Sequence, residues 1–285
     1  MQFTFTYRAT QATTVKRLLA EQGVSHRLLK KLYDASAVQV NGIAVHNVAL
    51  LEGDVVTFAL PPETGISISS GALTVVAENA NWLIVNKPTG LASVPGPSNP
   101  SDSLLNRVAG YLLQAGYAGP APAIITRLDR DTTGLVLVAK HSYAQGRLDT
   151  LGVNTQVEKR YLAVVGGTLE ASGRIDLPLA KAADGIHREV RADGQSALTE
   201  FTRVAQGPHA ALVRVHLVTG RTHQIRAHFA HLGHPVVGDG LYGGDTSHYQ
   251  TQLLQASELS FNDPFTNTRM SAVLPMPPAW QAALQ

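Results

Sequence analysis

Apolar residues recur at helical spacing near the start of the chain and at strand spacing through most of the remainder. In VKRLLAEQG, Val15, Leu18 and Leu19 form one stripe, which predicts a helix with Thr13 or Thr14 as N-cap and Gly23 as its stop. SHRLLKKLYDA predicts a second helix, capped by Ser25, with Leu28, Leu29 and Leu32 on its buried face. On both helices the basic side chains are left on the outer side. Asn41–Gly42 in VQVNGIAV is a two-residue hairpin signal between β-rich runs, and EGDVVTFAL at 52–60 adds a turn and a strand.

PPETGISISSGA at 61–72 interrupts the pattern with proline, glycine and serine. It divides the chain into a small α/β domain at 1–62, a linker at 63–72 and a larger domain at 73–285. Beyond it, strands at 73–78 and 82–87 flank a turn at Asn79–Asn81, and a helix is predicted at 102–116, capped by Ser101 or Asp102. LVLVA (135–139) and YLAVV (161–165) are continuous apolar runs, as in strands buried on both faces. Residues 198–204 and 210–218 alternate, with Ala211, Val213, Val215 and Leu217 on one side. The whole reads as an α+β protein whose larger domain is a mixed, mainly antiparallel sheet.

Composition narrows the function classes. The 285 residues include no cysteine, which excludes disulfides, thiolate metal sites and cysteine nucleophiles. No apolar run approaches a membrane span and no secretory signal opens the chain, so a cytoplasmic protein is expected. The formal net charge of +2 arises within residues 1–62, where six Lys/Arg face four Asp/Glu. Lys16, Arg17, Arg27, Lys30 and Lys31 cluster there, a patch suited to phosphate, although solvated helix faces look the same in sequence.

Three segments carry candidate chemistry. In ITRLDRDTTGLVLVAK (125–140), Arg127, Asp129, Arg130 and Asp131 are wedged between apolar runs, where charge must be paired or face a cleft. LVTGRTHQIRAHFAHLGHP (217–235) reads as strand, turn and helix: Gly220 breaks the strand, Thr222 is a candidate cap, and Ile225, Phe229 and Leu232 form a stripe. Arg221 stands at that turn, within reach of a carboxylate across a cleft. VEKRYLAVV (157–165) puts Tyr161 on a buried strand, offering a flat face to a nucleobase or simply filling core. His223, His228, His231 and His234 invite a metal reading, but the HExxH spacing is absent and no metal site is expected.

RLDRDTTGL, EKRYLAVV and LVTGRTHQIRAHFAHLGHPVVGD, in this order and spacing, resemble the RluA-type RNA pseudouridine synthases. NKPTGL (86–91), GDGLYG (238–243) and ASELSF (256–261) match weaker family segments, and the first domain resembles the S-four-like RNA-binding domain that often precedes the catalytic one. The resemblance implies Asp129 as the catalytic aspartate and Tyr161 as the ring packed on the flipped base. It implies Arg221 as the arginine paired with Asp129, Arg127 as the side chain entering the RNA, and Ile225 as pocket wall. Thr126 stands where the family usually has histidine, Thr133 where it has serine, and Gln255 and Asp263 replace common histidines.

The implied activity is isomerisation of uridine to pseudouridine in structured RNA, ribosomal or transfer. The base is detached through nitrogen 1, turned and rejoined through carbon 5, which needs an ionised carboxylate, a flat wall and phosphate-binding bases but no metal, nucleotide or redox cofactor. A monomer acting on RNA, with no membrane partner, is expected. Two rivals stay open on sequence: an RNA-binding protein without catalysis and a histidine-dependent metallohydrolase.

Overall fold

The computed structural model describes residues 1–63, 65–97, 99–152 and 156–285. The first part has a four-stranded antiparallel sheet of β1 (Thr4–Arg8), β2 (Val38–Val40), β3 (Ile43–Ala44) and β4 (Val55–Ala59), in the order β1-β4-β2-β3. Helices α1 (Val15–Glu21) and α2 (His26–Asp34) cover it, capped by the hydroxyls of Thr14 and Ser25. Gly23 leaves α1 at a φ of 80°, and Asn41 and Gly42 take positive φ in the β2–β3 turn, as the Asn-Gly signal demands. Leu18, Leu19, Leu28, Leu29 and Leu32 meet Val38, Val56 and Phe58 in one core.

The second part is built on β5 (Thr74–Glu78), β6 (Trp82–Lys87), β7 (Thr133–Ala139), β8 (Val157–Gly166), β9 (Ser172–Asp176), β10 (Leu198–Gln206), β11 (Ala210–Leu217) and β12 (Leu254–Asn262). Their order is β9-β10-β11-β8-β12-β7-β6-β5, with β13 (Arg269–Val273) branching from β12. Every pair along that order is antiparallel except β7 with β12, which run parallel for two residues. There β7 comes so close that a Cβ on Gly134, whose φ is 109°, would meet the Ala256 carbonyl oxygen at 2.3 Å. Only glycine fits this central seam.

Helix α3 (Leu104–Gln114) and helix α5 (Gln224–His231) pack on one face of the sheet and α4 (Ser142–Leu151) on the other. β6 and β7 are thus covered on both sides, which is why WLIV and LVLVA are unbroken apolar runs. The cap of α3 is Ser103, in a reciprocal box with Asn106, and not Ser101 or Asp102. Asp102 instead takes Arg107 and the Ser69 hydroxyl. The described residues of 61–72 form no regular element, yet Asn106 donates to the Ser67 carbonyl and Glu63 joins Lys31 to Ser142.

Aromatic side chains tie the first sheet to the second part. Phe3 stacks on Tyr117 with centroids 4.3 Å apart, and Phe5 meets Tyr143, His141 and Phe265. The Tyr7 hydroxyl bonds that of Tyr143, which donates to the Gln22 carbonyl. Among the described residues no helix is long and apolar enough to cross a membrane.

Candidate active site

The loop entering β7 alternates outward and inward residues. Leu128 is buried, and the Ser93 hydroxyl takes its N–H at 3.1 Å and donates to its carbonyl at 2.7 Å. Lys87, at the inner end of β6 and fully buried, donates to the carbonyls of Pro88, Leu91 and Arg130 at 3.0, 2.7 and 2.7 Å. Burial draws its ammonium down to about 8, against the opposing pull of Asp131 and Asp129. These bonds hold the loop from beneath, so Arg127 and Asp129 project outward. Thr126 is buried, and its hydroxyl accepts the Leu137 N–H and steadies β7 from within.

The four charges of the loop separate. Arg130 and Asp131 bind each other at 2.9 and 3.0 Å, while Asp129 turns towards α5. The pairing expected there, from Arg221, is replaced by one from Arg226, whose Nη1 donates to Asp129 Oδ2 at 3.1 Å. Arg221 lies at the exposed turn before α5 and gives its Nε to the Ser196 carbonyl. Arg226 is within the helix, on its buried face, where a guanidinium must find anionic partners. Its Nε and Nη2 bind both oxygens of the buried Asp239 at 2.6 and 2.8 Å, and the Tyr242 ring covers its carbon at 5.0 Å. Burial works against its charge, but the bonds and charges of Asp239 and then Asp129 hold its pKa above the ordinary arginine value.

The start of α5 is set by Gln224. Its amide accepts from the Arg221 N–H and the Thr219 hydroxyl and donates to the Leu198 carbonyl and Thr199 hydroxyl, all within 3.0 Å. The N-cap is therefore His223, one residue later than Thr222, and its side chain makes no capping bond.

Asp129, Tyr161, His223, Ile225 and Arg226 line one cleft of about 60 Å³. Tyr161 lies beside a bulge between β8 and β12, where its partner is Ala256 of the seam. Burial, then the Asp129 charge, pushes its phenol above the ordinary value and keeps it neutral. Ile225 closes the wall and is 3% exposed. The cleft opens into a groove of about 750 Å³ that includes Arg127, Lys159, Arg188 and Arg221. None of these four makes an ion pair among the described residues.

The N-terminal basic residues are differently placed. Arg17 pairs with Glu21, Lys30 with Asp34 and Lys31 with Glu63. Lys16 and Arg27 are exposed. The histidines of 223–234 diverge: His228 is buried between Thr199 and the Leu177 carbonyl, His234 bonds the Gly166 carbonyl, and His231 is exposed. Among the described residues no three His, Asp or Glu side chains gather as metal ligands.

Arg226, Asp239, Lys87 and His223 received no role from the sequence. Asp239 lies in GDGLYG and Lys87 in NKPTGL, segments whose family likeness was visible without showing which side chain mattered.

Residues 81–231 match the family model described as RNA pseudouridylate synthase. The uncharacterized RNA pseudouridine synthase YjbO of Bacillus subtilis is 36% identical over 271 residues, covering 93% of this chain and 95% of its own length. Ribosomal large subunit pseudouridine synthase D of Haemophilus ducreyi is 31% identical over 272 residues, covering 89% and 83%. Among solved structures, human RNA pseudouridylate synthase domain containing 1 superposes with a TM-score of 0.61 at 23% identity, over 75% of this chain and 86% of its own, a likeness of fold.

Proposed function

This chain belongs to the RNA pseudouridylate synthase family, and from that membership we propose that Asp129 is the carboxylate with which it isomerises a uridine of ribosomal RNA. The observation that carries this reading is the Arg226–Asp129 pair at 3.1 Å on the wall of a cleft shared with Tyr161. An arginine held on its far side by Asp239 keeps a charged carboxylate in place without enclosing it, and Asp129 keeps 27% of its side chain exposed.

The rest of the surface suits an extruded nucleotide. The Tyr161 ring and Ile225 supply apolar walls for a base, Arg127 stands exposed at the rim to take its place in the RNA, and Arg221 lines both the cleft and the adjoining groove. Lys159 and Arg188 extend the positive groove towards flanking phosphates. The first 62 residues, helices over a small sheet, act as an S-four-like RNA-binding module, with 63–72 as the linker to a catalytic domain at 73–285. Lys16, Arg17, Arg27, Lys30 and Lys31 add phosphate contacts from α1 and α2. The enzyme works as a monomer in the cytoplasm and needs no cofactor, since the chain's own carboxylate serves each step. A non-catalytic RNA-binding role is disfavoured because it has no use for a buried arginine clamped to a cleft carboxylate.

The test is to map pseudouridines in ribosomal and transfer RNA from a strain lacking the gene, then restore wild type or Asp129→Asn. One position should disappear, return with wild type and stay absent with Asp129→Asn. Restoration by Asp129→Asn would sink the assignment of the carboxylate, and a lost position in transfer RNA would move the substrate class.

A further inference from the structure

His223 occupies the left-handed region, at φ 55° and ψ 17°, where a side chain is held only if its surroundings insist. Although it is the N-cap of α5, its imidazole caps nothing and lies in the cleft, 15% exposed. Its Nδ1 is 3.0 Å from the Tyr242 hydroxyl, and that hydroxyl oxygen accepts the Arg188 N–H at 2.7 Å. The geometry lets Tyr242 donate its proton to Nδ1, and in that tautomer the ring's own proton stands on Nε2. Nε2 is 3.8 Å from Asp129 Oδ2, the same oxygen that takes Arg226. Asp129 Oδ1 has no partner among the described residues.

We propose that His223 is a positioning residue whose neutral Nε2–H closes onto Asp129 Oδ2 when RNA fills the cleft, leaving Oδ1 to face the uridine. Hydrogen bonds of an active site commonly tighten only with substrate bound. The charges facing the ring oppose one another. Burial acts first to disfavour the imidazolium; Arg226 and Arg188 add to this, while Asp129 and Asp239 favour it, and the balance keeps the pKa below the ordinary histidine value. The spent backbone strain has a use here, because the left-handed turn is what aims the ring at Asp129 and away from the helix end. This inference rests on Asp129 as the catalytic carboxylate.

Two measurements test it. Nitrogen-15 NMR of the full chain at pH 7, with the His223 signals assigned by their loss in His223→Asn, should show a neutral ring protonated at Nε2. A ring protonated at Nδ1, or an imidazolium, would overturn the proposal. This readout needs no RNA, so its failure is separable from failure of the catalytic reading, which Asp129→Asn decides. On the mapped RNA, His223→Gly removes the donor while accepting the left-handed backbone without strain. Its kcat should fall roughly 10- to 100-fold with KM changed less than about threefold. His223→Gln, whose longer side chain carries an amide N–H to the place of the imidazole Nε2–H, should recover part of the loss. Wild-type kcat in His223→Gly, or an equal loss in both variants, would show that the donor has no part in holding Asp129.

Discussion

Asp239 grips Arg226 from the buried side, with two hydrogen bonds of 2.6 and 2.8 Å, so the guanidinium reaches the cleft with one edge free. That edge is the one on Asp129. Orientation of the outer carboxylate therefore depends on a residue that no substrate touches.

Removing that grip should be costly in two ways. Asp239→Asn leaves a buried guanidinium half-compensated, which should lower stability by about 3–5 kcal/mol. It should also reduce kcat, because Arg226 is then free to swing from Asp129. Arg226→Lys should rescue neither property well, since an ammonium offers no planar fork. Denaturant unfolding beside turnover at a temperature where each variant is folded checks both, and an unchanged pair of values would mean that Asp239 is dispensable.

Tyr161 separates stacking from hydroxyl chemistry. Tyr161→Ala should weaken binding of the target RNA by about 1–3 kcal/mol if the ring carries the base. Tyr161→Phe keeps the ring and should bind as wild type does. A titration with both variants decides; equal affinity for Ala and wild type would make Tyr161 core alone, and a large loss of kcat in Phe would assign the hydroxyl a chemical part.

The groove and the helices can be compared by salt. Among the described residues Lys159 and Arg188 have no acidic partner, whereas Lys30 and Lys31 are each bound to one. Lys159→Met with Arg188→Met should make the dependence of RNA affinity on salt shallower by about 0.7 log units per lost contact on a single strand. Lys30→Ala with Lys31→Ala should do so less, because Asp34 and Glu63 already neutralise those ammonium groups. Labelled oligouridine titrated at several salt concentrations gives both slopes. The reverse order would place the main phosphate contacts on α2.

Acid should loosen the join between the two parts. His141 lies beneath Phe3 and Phe5, its Nδ1 accepts the Ala144 N–H, and its Nε2 donates to Asn81 at 3.1 Å. Burial, then the Lys140 charge, pulls its pKa down to about 3 from 6.5. The unfolded chain thus takes up this proton near 6.5 and the folded protein only near 3. The stabilisation is complete above the upper value and is lost as pH falls between them, at up to about 1.4 kcal/mol per pH unit. Stability of wild type against His141→Asn from pH 7 to 5 checks this: the wild-type slope should be steeper by about one proton, and parallel curves would contradict it.

Much of the first part was legible because its signals are local. Thr14 and Ser25 cap helices through their own neighbours, and Asn41–Gly42 turns a hairpin by backbone preference alone. Helix α4 was not legible: its apolar face is weak, and it forms because Tyr143, Ala144 and Leu148 fit spaces offered by other elements. The parallel seam of β7 and β12 was equally hidden, since it joins residues more than a hundred positions apart.

The site divides in the same way. Sequence by itself determined that charge must gather at Arg127–Asp131, that Tyr161 lies on a buried strand and that an arginine-bearing helix follows β11, because these depend on residue type and near neighbours. Which arginine meets Asp129 was decided only in three dimensions. Arg221 and Arg226 are alike in chemistry and five positions apart, but the Gln224 network starts the helix between them. That places Arg221 at an exposed turn and Arg226 on the buried face, where a charge persists only with Asp239 on one side and Asp129 on the other.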